Sequence, residues 1–264
     1  MGSPRSNTEW VYWGDTDPMY GVLSVLGKSK TNAKPWTEEE FYAQAKDEFA
    51  TNLKHWRQYG IVPESCVEIG CGAGRMTRCL QEVFGHVHAC DVSAGMLEMA
   101  RKNTDPRKVT TYQTNGTTLP LGDRSVTAAY STIVFQHFDT PEIGLSYFRE
   151  VHRVMKPGGT FLINLPWHQW PNAVIKWPYR IGNLIARGWD RVTFGFRRFL
   201  IGCGPKVMNT RIGRRLGQLM AGTSYDFPWL VGELGKIGFR DIEVRCYYVP
   251  VEGRHHPFFF GTKA

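Results

Sequence analysis

The chain has 264 residues, 42% of them hydrophobic, and a formal net charge of +8. That length and composition suit one α/β domain, or one domain with an insertion, that buries a full core. No run approaches the ~18 apolar residues that a crossing helix needs, so no transmembrane helix is expected.

The start, MGSPRSNTEW, lacks the apolar block of a secretory leader. Six cysteines, Cys66, Cys71, Cys79, Cys90, Cys203 and Cys246, include no C-x-x-C pair and no histidine at zinc spacing, so no metal is expected. They read as reduced, buried thiols of a cytoplasmic protein. The first 36 residues, WVYWGDTDPMYG among them, are rich in aromatics and turn formers and read as an irregular arm or lid. Thr37-Glu38-Glu39-Glu40 then forms a capping box. Phe41, Ala45, Phe49, Leu53 and Trp56 recur at helical spacing, so a helix should run to about Gly60 and make residues 1–60 an N-terminal helical cap.

Residues 61–166 alternate strand and helix. Cys66–Ile69 reads as a strand, followed by a glycine turn and a helix through Phe84. HVHACD, 86–91, is a second strand ending on Asp91, and Ser93 can cap the helix carrying Met96 and Ala100. VTTYQ, 109–113, and VTAAYSTIVF, 126–135, are strands three and four. Thr140-Pro141 opens a helix with Ile143, Phe148, Val151 and Met155 on one face, and Pro157-Gly158-Gly159 ends it. TFLINL, 160–165, is strand five. This rhythm implies a doubly wound, Rossmann-like parallel sheet covered on both faces. An insertion, 167–225, interrupts it. A closing segment, 226–264, carries a helix with Leu230, Val231, Leu234 and Ile237, closed by Gly238, and a strand or hairpin from about 240.

The glycine turn carries the chemistry. VEIGCGAGRMT lets the backbone approach a ligand closely and offers the amides of the next helix. The hydride-transfer fingerprint wants a third glycine where Arg75 stands, so a nicotinamide dinucleotide fits poorly. Asp91 follows Gly74 by seventeen residues, at the end of the next strand, where a carboxylate can accept both hydroxyls of a ribose. Glu68 beside the turn would repel a pyrophosphate and suits a ligand bearing an ammonium and a sulfonium.

VEIGCGAGRMT, HVHACDVSAGMLEMAR, GTTLPLGDRSVTAAYS, STIVFQHF and EVHRVMKPGGTFLINLP, in this order and spacing over roughly 60–166, resemble the class I S-adenosylmethionine-dependent methyltransferases. The resemblance implies a seven-stranded sheet with an antiparallel last strand and S-adenosyl-L-methionine as cofactor. By position it implies that Glu68, Gly70, Cys71, Gly72 and Gly74 shape the methionine end of the site. Asp91 would hold the ribose, Val92 and Met96 would flank the adenine, and Asn115 and Gly116 would meet its amine. Ser131 and Thr132 would face the methionine portion. Two positions depart from the family: Asn115 replaces a frequent acid, though its amide oxygen can accept, and Thr127 replaces a frequent aspartate.

Methyl transfer needs alignment and water exclusion, and a base only when the acceptor must lose a proton. His137 in FQHF is the candidate base, and His168 in LPWHQW a candidate acceptor-binding residue; each could equally be a packing or capping histidine. Between Trp167 and Gly222 lie ten basic residues and one acid, Asp190, a net +9 interleaved with eight aromatics. The first reading is a lid whose arginines grip an acidic small molecule. Others are a peripheral membrane patch for a lipid or isoprenoid acceptor, and an RNA groove, the least favoured partner. The plain alternative is a solvated face of an insertion that forms a homodimer. The rivals to a small-molecule methyltransferase are a cofactor-binding subunit without catalysis and, further off, an oxidoreductase.

Overall fold

The computed structural model describes residues 4, 6–25, 27–166, 223–249 and 254–264. Among them the chain runs α1 (Ser6–Thr16), α2 (Pro18–Val22), α3 (Glu38–Trp56), β1 (Ser65–Ile69), α4 (Thr77–Leu80), β2 (His86–Asp91), α5 (Ala94–Lys102), β3 (Val109–Gln113) and β4 (Val126–Ser131). It continues through α6 (Pro141–Val154), β5 (Met155–Asn164), α7 (Phe227–Ile237), β6 (Phe239–Val249) and β7 (Arg254–Lys263). The basic segment and His168 lie between 167 and 222, outside the described residues.

The strands make a seven-stranded sheet in the order β3-β2-β1-β4-β5-β7-β6. β1 to β5 pair in parallel, and β7 runs antiparallel between β5 and β6. The strand order reverses between β1 and β4. A crevice outside the carboxyl ends of such a pair is where open α/β sheets hold their ligands.

Alternation along the strands divides the core. Val67, Ile69, Ala129, Phe161, Ile163 and Phe259 pack with α6 and α7. Cys66, Ala128, Tyr130, Leu162, Phe258 and Phe260 pack with α3, α4 and α5. Burial on both faces is why β1 and β4 read as continuous apolar runs. α3 begins as expected: Thr37 Oγ1 accepts the Glu40 amide, and the Glu40 carboxylate accepts the Thr37 amide. Its stripe of Phe41, Ala45, Phe49 and Trp56 is buried. α7 ends on Gly238, whose φ of 110° is open to glycine at little cost.

Several expectations need correction. The irregular arm is two helices, α1 and α2, the second capped by Asp17 on the Tyr20 amide with Pro18 in its first turn. The helix after the glycine turn stops at Leu80, not Phe84. The Glu82 and Val83 amides take tighter bonds to the carbonyls three residues back, and Gly85 and His86 donate instead to the Pro63 and Glu64 carbonyls, which draws the chain down into β2. Strand four ends at Ser131, not residue 135, because Ile133 turns into the left-handed region at φ 60° and gives its amide to Asn164 Oδ1. Helix α6 ends at Val154, ahead of the Pro157-Gly158-Gly159 run, and that run is an irregularity inside β5. Cys246 is exposed rather than buried. Thr127, where the family favours an acid, is structural: its Oγ1 donates toward the Val62 and Ser65 carbonyls, at 2.7 and 2.9 Å, and accepts the Ser65 amide at 3.1 Å, locking β4 to β1.

Candidate active site

The turn after β1 is held from below by β2. The amides of Gly70 and Cys71 both donate to the Cys90 carbonyl, at 2.8 and 3.0 Å. Gly70, Gly72 and Gly74 all take positive φ (69°, 52° and 82°), a conformation that side chains resist. Glycine at two of them also permits close packing. A β-carbon at Gly70 would stand 2.4 Å from Val134, and one at Gly72 would stand 2.5 Å from Val22. The chain that approaches these glycines is therefore the loop after β4 and the end of α2.

Asp91 joins this turn to the loop after β2. Its Oδ2 accepts the Gly72 amide at 2.8 Å and its Oδ1 accepts the Ser93 amide at 2.9 Å. Burial pushes its pKa up, and those amide bonds work against the shift. Each oxygen keeps lone-pair capacity beyond the bond it makes here. Glu68 is buried, and its Oε2 accepts the Thr77 hydroxyl at 2.6 Å. Burial raises its carboxyl to about 7, despite that bond and nearby Arg75. Arg75, at the position that disfavours a dinucleotide, forms a buried ion pair with Glu48 of α3 at 2.9 Å. Cys71 is buried, and burial drives its thiol well above the ordinary range.

The other expected cofactor residues fall into two groups. Val92, Met96 and Gly116 lie in the segments after β2 and β3: the Val92 carbonyl accepts from Gln113 Nε2 at 3.1 Å, Gly116 takes a positive φ of 85°, and Met96 is fully buried, its amide donating to the Ser93 cap. Asn115 and Ser131 have commitments of their own. Asn115 Oδ1 accepts from the amides and hydroxyls of both Thr117 and Thr118 at 2.9–3.1 Å. The acceptor role expected toward an adenine amine is thus taken by the turn itself, which leaves the amide nitrogen, a donor. Ser131 is buried and gives its hydroxyl to the Ile69 carbonyl at 2.9 Å, fastening β4 to β1 rather than facing a ligand. Thr132, next along the chain, is half-buried.

His137 ends a single turn of 3-10 helix, Phe135–His137, just beyond β4. Its ring meets Trp10 of α1 edge to face, with centroids 4.7 Å apart, and its Nε2 lies 3.1 Å from the Gln136 amide nitrogen. Residues just past the undescribed segment hold this turn. Thr223 donates its amide to the Gln136 carbonyl and its hydroxyl to the Phe138 carbonyl, both at 2.6 Å, and Tyr225 donates to the Phe135 carbonyl at 3.0 Å.

Sequence reasoning missed two contributors. Helix α3 reaches the turn through Glu48 and through Tyr42, whose hydroxyl donates to the Ala73 carbonyl at 2.8 Å. Helix α1 lies against the expected adenine end, with Asn7 Nδ2 donating to the Asn115 carbonyl at 2.9 Å. The signal for α3 was present as polar residues inside its apolar stripe; α1 has aromatics on every side and no stripe to find.

Residues 67–163 match the methyltransferase domain family. This chain carries a class I S-adenosylmethionine-dependent methyltransferase domain. It is 29% identical over 102 residues to malonyl-[acyl-carrier protein] O-methyltransferase of Hahella chejuensis, over 38% of this chain and 36% of that protein. It is 28% identical over 137 residues to the tRNA (carboxymethyluridine(34)-5-O)-methyltransferase of Macaca fascicularis, over 48% of this chain and 20% of that one. The fold is similar to magnesium protoporphyrin IX methyltransferase from Synechocystis PCC 6803 with bound SAH, at a TM-score of 0.53 and 11% identity, over 88% of this chain and 90% of that one. The chain spans less than half the length of the first curated relatives it matches. The domain's cofactor is S-adenosylmethionine, and the residues present fit that group in kind: a glycine turn held at positive φ and, hydrogen-bonded to it, a carboxylate at the end of β2.

Proposed function

We propose that this chain transfers a methyl group from S-adenosylmethionine to a nitrogen or oxygen atom, less readily a carbon, of a small-molecule acceptor, an anionic one foremost. The observation that carries the reading is the Gly72 amide bound to Asp91, which fixes the glycine turn and the ribose-binding carboxylate in one unit. When bound, the cofactor supplies an electrophilic methyl on a sulfonium. Asp91 would accept from the ribose hydroxyls, Met96 and Val92 would pack on the purine, and Gly70, Gly72 and Gly74 would let the methionine end lie close to the backbone. Glu68, buried beside Thr77 and raised to about 7 in the ligand-free chain, would ionise more readily beside a cationic ligand and add negative charge there. His137 orients the acceptor, or takes its proton where the acceptor must lose one. His168 is the further acceptor-binding candidate from the insertion.

An RNA acceptor is the second reading. It is favoured by the tRNA methyltransferase among the relatives and by the net +9 of the segment between Trp167 and Gly222. Calorimetric titration with S-adenosylhomocysteine, with NADH as control, tests the cofactor half: binding to the former alone is expected, and binding to NADH alone overturns it. Transfer of labelled methyl to acidic small molecules, lipid extracts or tRNA then separates the acceptors. Binding with no transfer to any of them would favour a non-catalytic subunit.

A further inference from the structure

The aromatic arm before α3 touches the loops after β1, β2 and β3. Asn7 reaches the 115–116 turn: its amide donates to the Asn115 carbonyl, and a β-carbon at Gly116 would stand 2.5 Å from its Oδ1. Gly14 of α1 lies so close to the loop after β2 that a β-carbon there would stand 2.0 Å from Ser93 Oγ. At Gly21 of α2, a β-carbon would stand 2.8 Å from Trp13 and 3.2 Å from the Met96 methyl. Val22, one residue on, packs against Gly72. Two short helices thus run from the expected adenine end to the glycine turn.

Trp13 lies within this contact. It is 8% exposed, and its ring packs with Tyr12 and Tyr20 at centroid distances of 5.4 and 5.7 Å. Its Nε1–H is buried with no hydrogen-bond partner among the described residues. An indole N–H can only donate, and leaving it buried and unpaired costs as much as a lost hydrogen bond. A phenylalanine would fill most of the same space without that cost. Position explains what the donor could serve, because the ring shares the Gly21 contact with Met96, the residue assigned to the purine.

We propose that α1 and α2 form a wall of the cofactor site and that Trp13 is a cofactor-binding residue, its indole N–H donating to an acceptor atom of the adenosine half. The inference rests on the cofactor reading above. Its test therefore begins with the wild-type chain titrated with S-adenosylhomocysteine, where failure to bind would count against the reading itself. Given wild-type binding, Trp13→Phe should weaken S-adenosylhomocysteine about five- to tenfold, the worth of one hydrogen bond. It should weaken 5′-methylthioadenosine, which lacks the amino-acid end, by the same factor. Unchanged affinity for both ligands, or a loss confined to S-adenosylhomocysteine, overturns the proposal. Hydrogen exchange on the wild-type chain keeps it open to refutation if the variant fails to fold. Saturating S-adenosylhomocysteine should slow amide exchange across residues 6–22, and unchanged exchange there sinks the wall.

Discussion

The two faces of the sheet are built differently. Against α6 and α7 the packing is largely aromatic: Phe148, Phe161 and Phe239 meet edge to face with centroids 4.9–6.4 Å apart. Against α3, α4 and α5 the core is wired with polar groups. Arg75 pairs with Glu48, both 3% exposed. Asn52 donates to the Tyr130 hydroxyl and accepts from Tyr247, each at 2.8 Å, and the Trp56 indole reaches Thr160 at 3.1 Å. Apolar contact is non-directional and tolerates small shifts, whereas a buried hydrogen bond or ion pair specifies one geometry. The directional side holds the glycine turn by hydrogen bonds, through Arg75 and through Tyr42, whereas Val134, which packs with the aromatic side, meets Gly70 by apolar contact alone. The difference shows where the fold needs bulk stability and where it needs a fixed backbone.

The largest expected effect breaks the wired side. Glu48→Ala would leave the buried Arg75 charge without its partner and should cost about 3–5 kcal/mol in urea unfolding. Replacing both partners, with Glu48→Met and Arg75→Met, should recover most of that stability, because two buried charges are costly to desolvate. The double variant should still bind S-adenosylhomocysteine weakly, since the turn has lost its anchor. Full affinity in the double variant would mean that the pair does not position the turn.

Phe161→Ala on the aromatic side sharpens the contrast. It should cost a similar about 3–5 kcal/mol by emptying a fully buried site. Once folded, the variant should bind the cofactor as tightly as the wild type. A matched loss of affinity would show that both faces transmit to the site equally.

Glu68 gives the wired side a pH signature. Its carboxyl titrates at about 7 in the native chain against an ordinary 4.5, because burial disfavours the charge. Between those values the native state holds a proton that the unfolded chain has already released. Stability of the ligand-free protein therefore falls as pH rises through that window and levels off above it. Glu68→Gln stays neutral and can still accept from Thr77, so it should remove the slope and add about 3 kcal/mol at about pH 8. Thermal melts across pH test this, and an unchanged slope would reassign the titration.

Most of the sheet was legible because its signals are local. The bounds of β2 and β3, the Thr37 capping box, the Ser93 cap and the Gly238 stop all depend on neighbours within a few residues. What escaped depends on distant partners. Strand four looked longer because Thr132-Ile133-Val134-Phe135 is as apolar as a strand, and only Asn164, 31 residues on, takes the Ile133 amide and turns the chain. The site divides in the same way. That Asp91 ends β2 beside the glycine turn could be read from position along the chain. The commitments of Asn115 to Thr117 and Thr118, and of Ser131 to Ile69, could not, because residue type does not tell which partner a polar group finds first.

Asp91→Ala tests directly the joint between the glycine turn and the loop after β2. It removes a carboxylate that accepts two buried amides and should weaken S-adenosylhomocysteine by about 1.5–3 kcal/mol, the worth of a charged hydrogen bond. Calorimetry on the folded variant is the measurement, and unchanged affinity would remove the ribose assignment.

The smallest effect concerns Tyr42. Its hydroxyl is the direct link from α3 to the backbone of the turn, at Ala73. Tyr42→Phe keeps the ring, its edge-to-face contact with Phe41 and its place beneath the Arg78 guanidinium, and deletes only the donor. The expected loss is about 0.5–1.5 kcal/mol of stability, the net worth of one hydrogen bond. The informative readout is exchange of the Gly72 and Gly74 amides. If directional bonds hold the turn, these amides should exchange faster in Tyr42→Phe than in an aromatic-side variant of equal stability. Equal rates would make the hydroxyl a packing detail and would leave the Arg75–Glu48 pair as the anchor from α3.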